Sequence, residues 1–189
     1  MPITTIDPNT ALVVIDLQKG IIGYPTIHPV ATIIANAAKL AHAFRKRTAP
    51  VVLVNVVAAS PGRADIKRPA WNPPAGFADF VPELDQQASD LVVTKYSVGA
   101  FYGTSLDMFL RRRGVTQIVM CGISTSNGVE STARGAHDHG YNLTIITDAV
   151  TDTSAEQHAN APSITRRQRS CETCGCAPRS STGHLWVST

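Results

Sequence analysis

Five short runs of consecutive apolar residues punctuate the chain: Ala11 to Ile15, Val51 to Val57, Leu91 to Thr94, Gln117 to Cys121 and Asn142 to Thr147. Their apolarity is continuous and not alternating, which predicts strands covered on both faces, as in a parallel sheet. Between them, apolar positions recur at helical spacing. Ile33, Ile34, Ala37, Leu40, Ala41 and Phe44 form one face of a helix opened by Pro29; Arg45, Lys46 and Arg47 suit its last turn and Pro50 stops it. Leu106, Phe109 and Leu110, with Thr104 and Asp107 as caps and Gly114 as stop, predict a second helix. A third runs through Val129, Thr132, Ala133 and Ala136 to Gly140, and Asn127 with Glu130 has the form of a capping box at its start. Strands alternating with helices predict an α/β fold. The expected architecture is a three-layer Rossmann-like sandwich around a mostly parallel sheet of five to six strands.

A chain of 189 residues is the size of one domain with a sizeable core. The pattern stops near residue 160, so the domain is expected over 1–160, with a divergent, basic, Cys-containing tail over 161–189. The stretch from Ala58 to Pro82 is rich in Pro, Gly and Ala and too long for an ordinary connection. Its Trp71, Phe77 and Phe80 are expected to pack against the body. No apolar run approaches the roughly 20 residues that span a bilayer, and Met1 to Asp7 lacks the features of a signal peptide. The expected location is cytoplasmic, with no membrane partner.

The formal charge of +3 changes the picture little. Arg166, Arg167, Arg169 and Arg179, against Glu172 alone, supply all of it, and the body before residue 161 is neutral. This basic tail is read as a solvated or disordered end and not as a phosphate-binding surface, so no nucleic-acid partner is expected.

Open parallel sheets bind ligands beyond the carboxyl ends of their strands. Those ends carry Asp16, Asn55, Lys95, the turn from Gly122 to Gly128, and Asp148. A strand that turns straight into a helix leaves several N–H groups unpaired, a setting for a carboxylate or a developing negative charge. An acid and an ammonium on such tips form a plausible catalytic group. Neither a G-x-G-x-x-G after the first strand nor a G-x-x-x-x-G-K-[ST] occurs, so dinucleotide and phosphate-loop readings lack support. Gly122-Ile123-Ser124-Thr125-Ser126 fails as a nucleophile elbow at its last position, and Ser131 lies inside the third helix with no base beside it.

With these pieces in place, the chain resembles the isochorismatase-like hydrolase superfamily. The matching stretches are Ala11 to Gln18, Thr94 to Thr104 and Cys121 to Arg134, completed by Gly140-Tyr141 and Asp148-Ala149. The resemblance implies a parallel sheet, a small-molecule substrate and a homo-oligomer, dimer or tetramer. Most members are cysteine hydrolases with the nucleophile in the first turn of the third helix; carried over, that Cys falls on Gly128, which has no side chain to form an acyl-enzyme. Cys121 lies in a strand and does not replace it. The branch with Asp and Lys but no Cys resembles isochorismatase itself, which cleaves a vinyl ether and releases pyruvate. The resemblance thus implies Asp16, Lys95 and Gly128 as catalytic positions, with Asp16 the general acid. It implies Gln18, Phe101, Tyr102, Ser124, Thr125 and Asn127 as the substrate-binding set. The turn Ser124-Thr125-Ser126-Asn127 lacks the aromatic and His residues of that branch, and Val129 to Arg134 looks more like the cysteine-hydrolase branch. A C–N amidohydrolase relative that has lost its thiol, and a binding protein without catalysis, therefore stand as alternatives.

Nicotinamidase-like members hold a metal after the second strand; this chain offers Asp65 and Asp79 there but no His, so neither a metal nor any other cofactor is expected. Arg63 in the same loop is read as solvated. Cys171, Cys174, Cys176 and His184 form only a nominal zinc set, because the three Cys are crowded and their flanks lack strand or helix pattern. Leu185-Trp186-Val187 can serve as an edge strand.

Overall fold

The computed structural model describes residues 6–58, 72–165 and 185–188. Arg63, Asp65, Trp71 and the four candidate zinc ligands of the tail lie outside them. Six strands form one sheet in the order β3-β2-β1-β4-β5-β6. They are β1 (Thr10–Ile15), β2 (Val51–Val56), β3 (Leu91–Lys95), β4 (Gln117–Ile123), β5 (Asn142–Thr151) and β6 (Leu185–Ser188). The first five run parallel, while β6 pairs antiparallel with β5. All six residues of β1 and all seven of β4 are buried, which is why their sequences carry no polar side chain after the first residues, Thr10 and Gln117.

Two apolar layers flank the sheet. Leu12, Val14, Leu53 and Val119 pack on one face with Ile33, Ile34, Ala37, Leu40 and Ala41 of α2 (Val30–Lys46). Val13, Ile15, Val54 and Met120 pack on the other with Leu106 and Leu110 of α3 (Leu106–Arg112) and Ala133 and Ala136 of α4 (Glu130–Asp138). This is the expected α/β sandwich. Two further helices, α1 (Lys19–Ile22) and α5 (Ala155–Thr165), complete it, and α5 carries through the expected boundary at 160.

Some expected details differ. The capping box of Asn127 and Glu130 does not form: no side chain caps this helix, and Glu130 pairs with Arg134 at 2.7 Å. The chain instead leaves β4 through a π turn over Thr125–Val129, whose Asn127 and Val129 N–H groups donate to the Ser124 carbonyl. Strand β5 also outruns its apolar segment. The register with β4 shifts between Met120 and Gly122, and pairing resumes at Val150 and Thr151. Gly122 is required at this irregularity: its φ is +126°, and a β-carbon there would lie 2.0 Å from the Ile15 carbonyl oxygen.

The described end of the long loop, from residue 72 onward, is pinned from below. Gln18, fully buried, donates its amide to the Val56 and Phe77 carbonyls at 3.0 Å each and accepts the Val56 N–H at 2.7 Å. Phe77 occupies the space over Gly20, and Phe80 packs on the α2 layer. Gln18→Leu takes one hydrogen bond from each of three backbone groups, of which the Phe77 carbonyl keeps the Gly20 N–H at 2.9 Å. The expected cost is about 2 kcal/mol, seen as a fall in Tm of about 4–8 °C.

Candidate active site

Asp16 is the first residue beyond β1. Its N–H still donates to the Val54 carbonyl at 2.9 Å, but its φ of +51° turns the chain out of the strand. Aspartate tolerates this left-handed conformation better than most residues do. Lys95 is the last residue of β3, two strands away in the sheet. The two meet across the tip of β2: Lys95 Nζ lies 2.8 Å from Asp16 Oδ2, with side chains only 3% and 8% exposed. The ammonium also donates to the Val98 carbonyl at 2.9 Å and reaches that of Ser97 at 3.4 Å, so its three protons are matched. Asp16 Oδ1, by contrast, is buried with no hydrogen-bond partner among the described residues.

Burial penalises the charged carboxylate and pushes the Asp16 carboxyl up from 3.8 to about 6, against the pull of the Lys95 charge and hydrogen bond. Asp16 thus titrates close to neutrality, the range that suits proton transfer.

Gly128, in the π turn, closes the corner. A β-carbon built on it would sit 3.0 Å from Asp16 Oδ2 and 3.0 Å from the Ile15 methyl. Any side chain at 128 would therefore project beside the Asp16–Lys95 pair. The structure brings together Asp16, Lys95 and Gly128, residues separated by up to 112 positions in the chain.

The expected substrate-binding set fares differently. Gln18 is the buried brace described above, with its amide spent on backbone groups. Thr125 is likewise buried, and its hydroxyl lies 3.0 Å from the Thr151 carbonyl and 2.9 Å from His158 Nδ1. Phe101 packs on the core, 5.0 Å from the His139 ring and 6.0 Å from that of Tyr141. Tyr102 is 81% exposed. Both line a surface hollow of about 460 Å³ with Val98 and Ser131, and neither Asp16 nor Lys95 lines it. Ser124 is half-buried and Asn127 exposed on the turn itself; the Ile123–Ser124 peptide is cis.

Two residues that support the turn were not expected. Asp152, buried at the end of β5, accepts the Ser126 N–H at 2.7 Å and the Thr153 N–H at 2.8 Å. It provides the anion that the start of a helix attracts. An Asp followed by Thr153 and Ser154 is itself a turn signal, the one local pattern that could have drawn notice to it. His158, on α5, reaches Thr125 from a segment with little apolar pattern. Burial, then the neighbouring His28, lower its pKa, and Asp152 opposes them. Among the described residues no three His, Cys, Asp or Glu side chains gather as a metal site, and no helix is long and apolar enough to cross a membrane.

Fold and site define an α/β protein whose reactive groups lie at the carboxyl ends of a parallel sheet. The chain belongs to the isochorismatase family of hydrolases, whose isochorismatase domain model matches residues 10–173. It is 46% identical over 159 residues to an uncharacterized isochorismatase family protein, YwoC, of Bacillus subtilis, covering 79% of this chain and 82% of that one. A solved isochorismatase family protein from Burkholderia thailandensis superposes with a TM-score of 0.79 at 42% identity, covering 83% of this chain and 86% of the other. More distant relatives carry named activities. Maleamate amidohydrolase of Pseudomonas putida is 31% identical, covering 78% of this chain and 75% of the relative. N-carbamoylsarcosine amidase of Thermoplasma acidophilum superposes with a TM-score of 0.69 at 28% identity, covering 82% and 92%.

Proposed function

We propose that this hydrolase cleaves a small carboxylate-bearing vinyl ether, with Asp16 as general acid and no covalent enzyme intermediate. The observation that carries the reading is the corner itself: a carboxyl raised to about 6 faces a glycine where a nucleophilic side chain would otherwise project. Lys95 holds Oδ2, which leaves Oδ1 as the oxygen that carries the proton. Asp16 gives that proton to the terminal carbon of the enol ether, leaving an oxocarbenium ion. Water adds to the cationic carbon and its proton returns to Asp16. The hemiketal then collapses to an alcohol and pyruvate, so one water is consumed per ether cleaved. The Lys95 charge offsets the negative charge of substrate and carboxylate through this cycle. The body of the protein, with the helix α5, is the functional unit in this reading, acting in the cytoplasm as a homo-oligomer on a small molecule, without a metal or cofactor.

The amidohydrolase relatives favour a second reading, in which Asp16 is a base that activates water towards an amide. The two readings differ in sign with pH. An acid must be protonated, so kcat/KM for pyruvate release from isochorismate is expected to fall tenfold per pH unit above about 6. A base must be ionised, so ammonia release from an amide would rise through the same point and level off above it. Measuring both rates on purified protein from pH 4.5 to 9 decides between them; no pyruvate at any pH would remove the first reading.

A further inference from the structure

The turn that faces Asp16 is held from behind by a side chain on α5. Thr125, the first residue of the π turn, is buried, and its hydroxyl sits between the Thr151 carbonyl at 3.0 Å and His158 Nδ1 at 2.9 Å. A carbonyl oxygen can only accept, and a hydroxyl has a single hydrogen to give. With that hydrogen committed to Thr151, the hydroxyl must accept from the imidazole, and Nδ1 must carry a proton. We propose that His158, donating from Nδ1–H to the Thr125 hydroxyl, is a positioning residue that sets where the turn places Gly128 against Asp16. The inference rests on reading that corner as the reacting centre.

Contacts from other elements converge on the same place. Asp152 Oδ2 accepts the N–H of Ser126, the next residue of the turn, at 2.7 Å. The His28 N–H donates to the Thr151 hydroxyl at 3.2 Å, and the His28 ring meets that of His158 edge-on at 5.0 Å. The turn is thereby tied to the end of β5, to α5 and to the loop before α2. The bond does not depend on charge, because an imidazolium also donates from Nδ1. Only two residues separate Thr125 from Gly128, where a β-carbon would lie 3.0 Å from both Asp16 and Ile15. Letting go of Thr125 frees the turn to shift, and a displacement of about 1 Å at a reacting centre can cost about a hundredfold in rate.

The first test needs no substrate. Long-range proton–nitrogen correlation spectra of histidine-labelled protein at pH 8 are expected to show His158 as the Nδ1–H tautomer; an Nε2–H tautomer would overturn the proposal. The second compares His158→Leu with His158→Asn, whose side-chain amide can keep a donor where Nδ1 stood. For pyruvate release from isochorismate, the Leu variant is expected to lose about ten- to a hundredfold in kcat with KM nearly unchanged. The Asn variant should recover most of that loss, with thermal midpoints recorded for both. Equal kcat in wild type and both variants would overturn the proposal, as would an Asn variant no better than Leu at a matched midpoint. If the wild type releases no pyruvate, the vinyl-ether reading fails, and the same series is read at the Gly128 amide resonance. A shift in the Leu variant that Asn reverses supports the positioning role; an unmoved resonance overturns it.

Discussion

Asp16→Asn is expected to lower turnover by about 10²–10⁴-fold while the protein stays folded. The carboxamide has nearly the same shape, and its oxygen can still accept from Lys95 Nζ where Oδ2 does now, at 2.8 Å. What it lacks is an acidic proton to give. The burial that raises the carboxyl to about 6 has no counterpart in a neutral amide, so the variant loses chemistry without gaining an unpaired acid. Circular dichroism and a thermal melt establish the fold, and single-turnover pyruvate release measures the loss. Unaltered turnover would remove Asp16 from the mechanism.

Lys95→Met is expected to cost about 3–5 kcal/mol near pH 8, since it leaves a buried carboxylate without its ion-pair partner. The Val98 carbonyl loses its donor as well. The sign with pH follows from Asp16. Its folded pKa already lies above the unfolded value, and losing the ammonium, which pulls it down, raises it further. A group raised on folding favours the native state fully below the unfolded value of 3.8, and that contribution disappears as pH climbs through the folded one. The gap between Lys95→Met and wild type should therefore widen from pH 4 to pH 8 in urea unfolding. A gap independent of pH would show that the pair is not what Lys95 contributes.

The five parallel strands are legible in the sequence because each is short, apolar and covered on both faces; a run such as Ala11 to Ile15 has no other good use. Asp16 and Lys95 are legible as the first charged residues after such runs. The capping box was misleading because Asn127 and Glu130 satisfy a local rule, whereas the start of α4 is decided by contacts from far along the chain, among them Asp152. Gln18 and Thr125 carry polar side chains beside the site, and sequence cannot say that backbone groups 26 to 59 residues away consume them. His158 was silent because α5 has no strong apolar face to announce it. Long-range polar pairing, then, is where reading by pattern ends.

The position of β1 has a consequence for biosynthesis. It is made before the other strands of its sheet, yet it lies in the middle of that sheet and pairs on one side with β4, with Thr10 opposite Gln117. The ribosome must deliver more than a hundred further residues before that neighbour exists. Until then the nascent chain carries a bare, sticky apolar ribbon, the state in which chaperones and aggregation compete for a growing polypeptide.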